Sequence, residues 1–128
     1  MSNLFEKIRC KPDFYAETGA TVSQIEQAEK SLGLSFALDY KEYLYEFGAV
    51  SFGGHELTGF STDINLDIVE VTKKNWGKHN VGKNLYVIEE AHIDGIVIWQ
   101  NEVGYVYQTS PSSLPVKIAN SLFEYISL

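Results

Sequence analysis

Residues 23–60, with the sequence SQIEQAEKSLGLSFALDYKEYLYEFGAVSFGGHELTGF, carry the start and end signals of two helices followed by two strands. Ser23 and Glu26 form a Ser-x-x-Glu pattern, a capping box in which each side chain can bond the other residue's backbone N–H. Apolar residues then recur at helical spacing up to Leu32, and Gly33 supplies the left-handed residue that often ends a helix. The pattern therefore predicts a helix that Ser23 caps and Gly33 ends.

A second helix is predicted from about Asp39 to Phe47, because its tyrosines, leucine and phenylalanine fall on one stripe and Gly48 follows. Beyond it, residues 50–52 favour a strand that enters a Gly-Gly turn, and residues 56–60 favour the returning strand. Two capped helices thus lead directly into a pair of strands.

This stretch resembles the opening of the SUKH superfamily, whose members include relatives of the yeast Smi and Knr cell-wall regulators. The likeness lies in the Leu32-Gly33 helix end, in Asp39 followed by the aromatic Tyr40, and in Phe52-Gly53-Gly54. One departure is Phe36-Ala37, which stands where the family usually has Leu-Pro. The resemblance implies an α+β domain that binds another protein. Bacterial members are typically immunity proteins, each of which neutralises one polymorphic toxin, often a nuclease.

Three strands in quick succession are predicted over residues 85–90, 95–100 and 104–108, because Asp94-Gly95 and residues 101–104 supply turn chemistry between them. The middle strand is apolar on both faces and is therefore expected in the interior of an antiparallel sheet.

Helices are predicted at both ends of the chain. Residues 3–9 have a weak helical pattern, and Ala119, Leu122, Phe123 and Ile126 form the apolar stripe of a closing helix. Residues 67–76 are ambiguous, because their β-branched side chains favour a strand while their spacing favours a helix. The family resemblance implies the helix. We therefore expect one α+β domain over residues 1–128. It should have an antiparallel or mixed sheet of about five to six strands, with N-terminal helices and a C-terminal helix packed on it.

The composition indicates a folded, acidic protein that does not span a membrane. The hydrophobic content is 45% and the net charge is −7. No run of about 18 apolar residues is present, and the N-terminus lacks the pattern of a secretory signal. The lone Cys10 fits a reducing compartment, so the expected location is the cytoplasm. No lysine or arginine lies between Lys83 and Lys117, which argues against nucleic-acid binding by this span.

No motif in the sequence predicts catalysis, a metal site or a cofactor site. The three histidines, His55, His79 and His92, are far apart in the chain, and Cys10 has no identifiable base beside it. Lysines around Trp76 could attract nucleic acid, but a solvated helix face explains them as well. We therefore expect a protein that is not an enzyme.

The candidate partner-binding residues lie in the predicted meander. Exposed tyrosine and tryptophan inside an acidic rim would suit an interface with a basic protein, whereas the alternative is that these aromatic residues belong to the core. The candidates are Glu89, Glu90, Asp94, Glu102, Trp99, Tyr105 and Tyr107.

The sequence thus favours a cytoplasmic immunity protein that binds a cognate toxin domain of basic charge, with no nucleic acid, membrane or cofactor involved. The alternative is an intracellular scaffold or regulatory module of the Smi/Knr type, which would bind host proteins without inhibiting an enzyme.

Overall fold

The structure is a computed structural model that describes residues 2–128, with side chains described from Phe5 onward. The helices are α1 Ser2–Arg9, α2 Val22–Leu32, α3 Leu38–Phe47, α4 Ile68–Trp76 and α5 Leu122–Ile126, with a 3₁₀ turn at Ile64–Leu66. The strands are β1 Tyr15–Ala16, β2 Val50–Phe52, β3 His55–Leu57, β4 Tyr86–Glu90, β5 Val97–Gln100, β6 Val106–Thr109 and β7 Val116–Ala119.

Within residues 2–128 the sheet contains seven strands in chain order, each antiparallel to the next. This confirms the predicted α+β domain, with slightly more strands than the five to six expected. The two edge strands, β1 and β7, are the additions. β1 is two residues long, which is too short for an alternating pattern to show in the sequence.

Helices cover the two faces of the sheet unequally. One face, called here the main-core face, carries Tyr86, Ile88 and Ile98 and packs against side chains of α1, α2, α3 and α5. The other, called the α4 face, carries Val97 and Trp99 and packs against α4. Because side chains alternate along a strand, consecutive residues of β5 enter different cores. This explains why the middle strand is apolar on both faces, as predicted.

The capping box of α2 lies two residues earlier than predicted. Thr21, not Ser23, is the N-cap, and its hydroxyl accepts from the backbone N–H of Gln24 at 3.1 Å. The side chain of Gln24 accepts in return from the N–H of Thr21 at 2.8 Å. The helical periodicity could not distinguish an N-cap at Thr21 from one at Ser23, because the same apolar residues form the buried stripe in both cases. The predicted end is confirmed, since Gly33 is left-handed with φ of 69°.

The ambiguous segment 67–76 is a helix, as the resemblance implied. Asp67 caps it by accepting from the N–H of Glu70 at 3.0 Å. The β-branched residues Ile68 and Val71 are buried, and the hydroxyl of Thr72 accepts from the N–H of Val87 on β4 at 3.1 Å. Packing against the sheet therefore outweighs the strand propensity of these residues.

The closing helix is shorter than predicted. Ala119 belongs to β7, where it pairs with Val106, and α5 begins only after Ser121 caps it. Phe123, expected on the buried stripe, is exposed. The helical spacing between Ala119 and Leu122 arises because both face the same core from different elements.

The backbone passes very close to itself at Gly48, where the segments around Thr18 and Gly59 both approach it. Strand β3 ends at Leu57, before this approach, and not at the predicted Phe60. A Cβ atom at Gly59 would overlap the carbonyl oxygen of Gly48, and one at Gly48 would overlap the carbonyl oxygen of Thr18. The N–H of Phe60 donates to Gly48 O at 2.9 Å, which turns the chain away from the sheet. Only glycine therefore fits at these two positions. Gly48 and Gly59 together are called here the glycine crossing.

β3 and β4 meet along a short seam at which buried side chains replace part of the ladder. A single residue pair, Leu57 with Glu89, joins the two strands in register. The hydroxyl of Thr58 donates to Val87 O at 2.8 Å and accepts from the hydroxyl of Tyr40, also at 2.8 Å. The hydroxyl of Tyr43 donates to Thr58 O at 2.8 Å. Helix α3 therefore supplies the polar groups that close the sheet.

Candidate functional site

Two of the seven predicted partner-binding residues are buried and cannot line an exposed face. Trp99 is 0% exposed, and Glu89 is 4% exposed. Trp99 lies on the interior strand β5, where its indole N–H donates to Thr109 Oγ1 at 2.9 Å. For this tryptophan the alternative, a core residue, is confirmed. Alternation along a strand distinguishes two faces, but it does not reveal that α4 covers the one that carries Trp99.

Glu89 forms a buried polar cluster on the main-core face. Its carboxylate accepts from the Tyr125 hydroxyl, from His55 Nδ1 at 2.9 Å and from the N–H of Glu56 at 2.7 Å. The hydrogen bond to Glu89 raises the pKa of His55, while partial burial opposes the shift. Burial, followed by the charge of Glu89, raises the pKa of Tyr125. The cluster joins α5 and β3 to β4, and each of the three partners is more than 30 positions from Glu89 in the chain.

Glu90 points to the opposite face, as its position beside Glu89 predicts. Its carboxylate is 3.1 Å from Lys74 Nζ and accepts from Asn75 Nδ2 at 3.0 Å. Burial would raise the pKa of Glu90, but these two hydrogen bonds outweigh it and lower the pKa overall. Of the lysines around Trp76, Lys74 is thus paired with an acid, and Lys83 Nζ lies over the Trp76 ring.

Asp94 and Glu102 lie beyond opposite ends of β5. Asp94 is exposed in the turn before the strand, with a left-handed φ of 52°. Glu102 is exposed in the turn after it. The four predicted acids therefore do not form one rim: one is buried, one is paired with a lysine, and two are separated by the length of a strand.

The remaining candidates, Tyr105 and Tyr107, lie together on the half of the α4 face that α4 leaves open. Both point to the same side of β6, and Tyr107 is opposite Lys117 of β7. Lys117 Nζ lies 3.7 Å from the centre of the Tyr105 ring. These three side chains and Glu102 in the adjoining turn are called here the outer strip.

Exposed apolar side chains lie near the turn that precedes β6. Val103 is 71% exposed in the turn before β6. Leu38, the first residue of α3, is 72% exposed, and the preceding Ala37 packs beside Gly104. Asp39 fixes the position of the N-terminal end of α3. Its carboxylate accepts from Gln100 Nε2 at 3.0 Å and from the N–H of Leu122 at 2.8 Å. Leu38 was not among the predicted residues, and the predicted helix began only at about Asp39.

The free edge of β7 is less suited to binding than the outer strip. Pro115, directly before the strand, has no N–H to donate, Lys117 is on the strand, and the register shifts between Val106 and Tyr107 of its neighbour. Proline, lysine and bulges are the features with which natural proteins protect sheet edges from pairing. A partner would therefore approach side chains of the outer strip more readily than the β7 backbone.

Residues 2–128 contain no group of three or more His, Cys, Asp or Glu side chains that could hold a metal ion. In the same residues no helix has the length and apolar character needed to cross a membrane. A groove of about 310 Å³ lies between the C-terminal end of α4 and the turn that joins β4 to β5.

Comparisons with known proteins agree with this fold. The family model SUKH_5, described as SMI1-KNR4 cell-wall, matches residues 1–127. A crystal structure of a protein from Pseudomonas syringae pv. tomato superposes with a TM-score of 0.81 over 99% of this chain and 96% of that chain, at 17% identity. No curated protein matches the chain. At 17% identity the structural likeness shows the fold alone, whereas the family model covers nearly every residue. The chain therefore belongs to the SUKH_5 family of SMI1-KNR4 cell-wall proteins.

Proposed function

We propose that this protein is a cytoplasmic immunity protein, which binds one cognate toxin domain of basic charge through the outer strip and thereby neutralises it. The observation that carries the proposal is the uncovered half of the α4 face, where Tyr105 and Tyr107 stand beside Glu102 and the exposed Val103. Tyrosine is enriched at the centres of protein interfaces, with charged residues at their rims.

The charge of the protein supports a basic partner. The net charge is −7, and from residue 84 to the end of the sequence five carboxylates stand against Lys117 alone. Acidic surface attracts a basic partner over long range and raises the association rate. A nuclease domain is the favoured target, because its cleft is built to attract phosphates and carboxylates can occupy it in their place.

The test is growth of cells that express the toxin domain encoded beside this gene, with and without this protein, followed by co-purification. We expect rescue of growth and a stable complex with a Kd of about 1 nM or tighter, whose association slows as salt is added. Absence of both rescue and complex would overturn the proposal.

Paired variants locate the face that binds. Glu102→Lys with Tyr105→Ala should weaken the complex about 100-fold or more, since central tyrosines are frequent hot spots. Glu26→Lys changes another exposed acid, on α2, and serves as the control, which should retain tight binding. Equal binding by both variants would remove the outer strip from the interface even if the complex forms.

The family description favours one alternative, a scaffold or regulatory module that binds host proteins, as the Smi and Knr relatives suggest. Such a module should bind several partners more weakly and with less dependence on salt. Co-purification at two salt concentrations therefore separates the two functions.

A further inference from the structure

Within the outer strip, a cation of the protein itself lies on an aromatic ring. Lys117 Nζ is 3.7 Å from the centre of the Tyr105 ring, well inside the distance of about 6 Å at which a cation and an aromatic face attract each other. Lys117 is also the only lysine or arginine after residue 83. Among residues 5–128 it forms no ion pair with a carboxylate. The ring is therefore the group that holds this ammonium.

Lys117 can leave the ring at little cost. It is exposed on the edge strand β7, and its four-carbon stem is flexible. An exposed contact between a cation and an aromatic ring changes an equilibrium only about two- to fivefold, and the released ammonium returns to water. A second cation that stacks better on Tyr105 can therefore take the place of Lys117.

The turn before β6 carries an exposed carboxylate three positions before Tyr105. The side-chain oxygen of Asn101 accepts from the N–H groups of Gly104 and Tyr105, each at 3.0 Å, and the N–H of Asn101 donates to Tyr105 O at 3.1 Å. These three bonds close the turn and leave Glu102 exposed at its tip. Glu102 forms no ion pair within residues 5–128, so its carboxylate is available to a cation that binds at the strip.

Tyr107 extends the aromatic surface along β6. It is half-buried, lies on the same side of the strand as Tyr105, and stands directly opposite Lys117 on β7. Two positions along a strand span about 7 Å. The Lys117 side chain thus starts opposite one tyrosine and ends over the other. A long cationic side chain from a partner can follow the same course, with its apolar stem against Tyr107 and its charged end on Tyr105.

From these contacts we propose that Lys117 lies where an arginine side chain of the partner binds, and that the arginine displaces it from Tyr105 when the complex forms. This inference rests on the proposed function, because it names the partner group that the outer strip accepts. An incoming lysine would only exchange one ammonium for another. A guanidinium is planar and more weakly hydrated, so it stacks on the ring and can donate two hydrogen bonds to the Glu102 carboxylate.

The first test follows the ε-methylene protons of Lys117 by NMR. In the free protein the ring current of Tyr105 should shift these protons upfield of those of the other lysines, and Tyr105→Leu should abolish the shift. Addition of the toxin domain encoded beside this gene should return them to the ordinary lysine position. A complex in which they stay upfield would overturn the inference and leave the proposed function intact.

A small probe tests the same contact without the toxin. N-acetyl-L-arginine amide should displace Lys117 with a Kd of about 0.1 M, since one exposed stacking contact and one exposed ion pair supply the binding. The lysine derivative and the uncharged citrulline derivative should each bind at least about threefold more weakly at matched ionic strength. Displacement by the arginine derivative without any toxin complex would count against the proposed function alone. Equal effects of the arginine and citrulline derivatives would overturn the inference.

Variants separate displacement of Lys117 from a general effect of charge. Lys117→Gln frees the Tyr105 ring and should tighten the toxin complex about three- to tenfold. Lys30→Gln removes the same charge from an exposed position on α2 and should tighten it less than about twofold. A thermal melt confirms that both variants are folded. Equal tightening in the two variants, or weaker binding by Lys117→Gln, would overturn the inference.

Discussion

The first half of the sheet, β1 to β3, is held differently from the second half, β4 to β7. Strands of the first half are two or three residues long, and they are held in place by backbone segments that nearly touch at Gly48 and Gly59. Strands of the second half are four or five residues long, and ladders of four residue pairs join β5 to each neighbour, with one register shift between Val87 and Glu89. One half depends on close backbone approach and the other on strand pairing.

This difference indicates where the protein can vary without unfolding. Residues at the glycine crossing have no alternative side chain, because any Cβ would meet backbone. In the second half, residues that point outward from the ladder, such as those of the outer strip, contribute little to the fold. A recognition surface that must differ among relatives can be placed there at low cost, whereas the seam between the halves must stay intact.

The largest effect is expected at the glycine crossing. Gly59→Ala should lower the free energy of unfolding by more than about 4 kcal/mol or prevent folding, because the added methyl overlaps the carbonyl oxygen of Gly48. Urea unfolding followed by circular dichroism measures it.

Gly77→Ala is the matched control for that prediction. Gly77 has an ordinary helical φ of −74°, and a Cβ there would be no closer than 3.4 Å to a neighbouring atom. The substitution should leave stability unchanged or raise it by up to about 1 kcal/mol. Similar losses in both variants would refute close backbone approach as the cause.

The next largest effect is expected at the seam. Glu89→Leu removes the acceptor of three hydrogen bonds and leaves the Tyr125 hydroxyl and the N–H of Glu56 without a partner. We expect a loss of about 3 kcal/mol in the free energy of unfolding, measured in urea. Glu102→Leu, at an exposed acid of the second half, should change it by less than about 0.5 kcal/mol. If the two losses were alike, Glu89 would not join the halves.

Sequence patterns predicted the second half better than the first. The meander was predicted correctly in all three strands, because turn residues separate one strand from the next. β7 was missed, since it is four residues long and its Ala119 falls by coincidence at helical spacing from Leu122. For residues 67–76 the sequence pattern alone left strand and helix open, and only the family resemblance predicted the helix. The close approach of Gly48 and Gly59 depends on three-dimensional crossing, which no local pattern contains.

The candidate site was predicted only in part, for a related reason. Alternation separated Glu89 from Glu90 correctly, but it could not show that α4 covers β4 and β5 while it leaves β6 open. Trp99 and Tyr107 are directly opposite each other on adjacent strands, yet one is buried and the other partly exposed. Which residues are exposed depends on where a helix 23 or more positions earlier in the chain packs.

A smaller effect is expected from pH at the seam. The pKa of His55 is raised in the folded protein, so the protonated ring stabilises the fold fully below its unfolded pKa of about 6.5. That stabilisation is lost as the pH rises through the folded pKa. Because His55 is partly exposed and Lys11 opposes its charge, we expect less than about 1 kcal/mol.

Urea unfolding of the original protein and of His55→Gln at about pH 5.5, 7 and 8.5 measures this dependence. These pH values lie on both sides of the usual histidine pKa of about 6.5. The difference in unfolding free energy between the two proteins should shrink as the pH rises. His79→Gln is the control, because its ring has no carboxylate partner among residues 5–128. A constant difference across this range would show that the charge of His55 does not strengthen the seam.

The smallest effect on stability is expected at the exposed end of the second half. Val103→Ser should change the free energy of unfolding by less than about 0.5 kcal/mol, because the side chain is 71% exposed. Ile64→Ser is the matched control, since Ile64 is also apolar and 64% exposed but lies in the 3₁₀ turn before α4. If the outer strip and its apolar neighbours bind the toxin domain, Val103→Ser should weaken the complex about tenfold while Ile64→Ser does not. Isothermal titration with the same toxin domain separates the two. A large loss of stability in Val103→Ser would instead mean that the second half, like the first, has little freedom at its surface, and the contrast between the halves would fail.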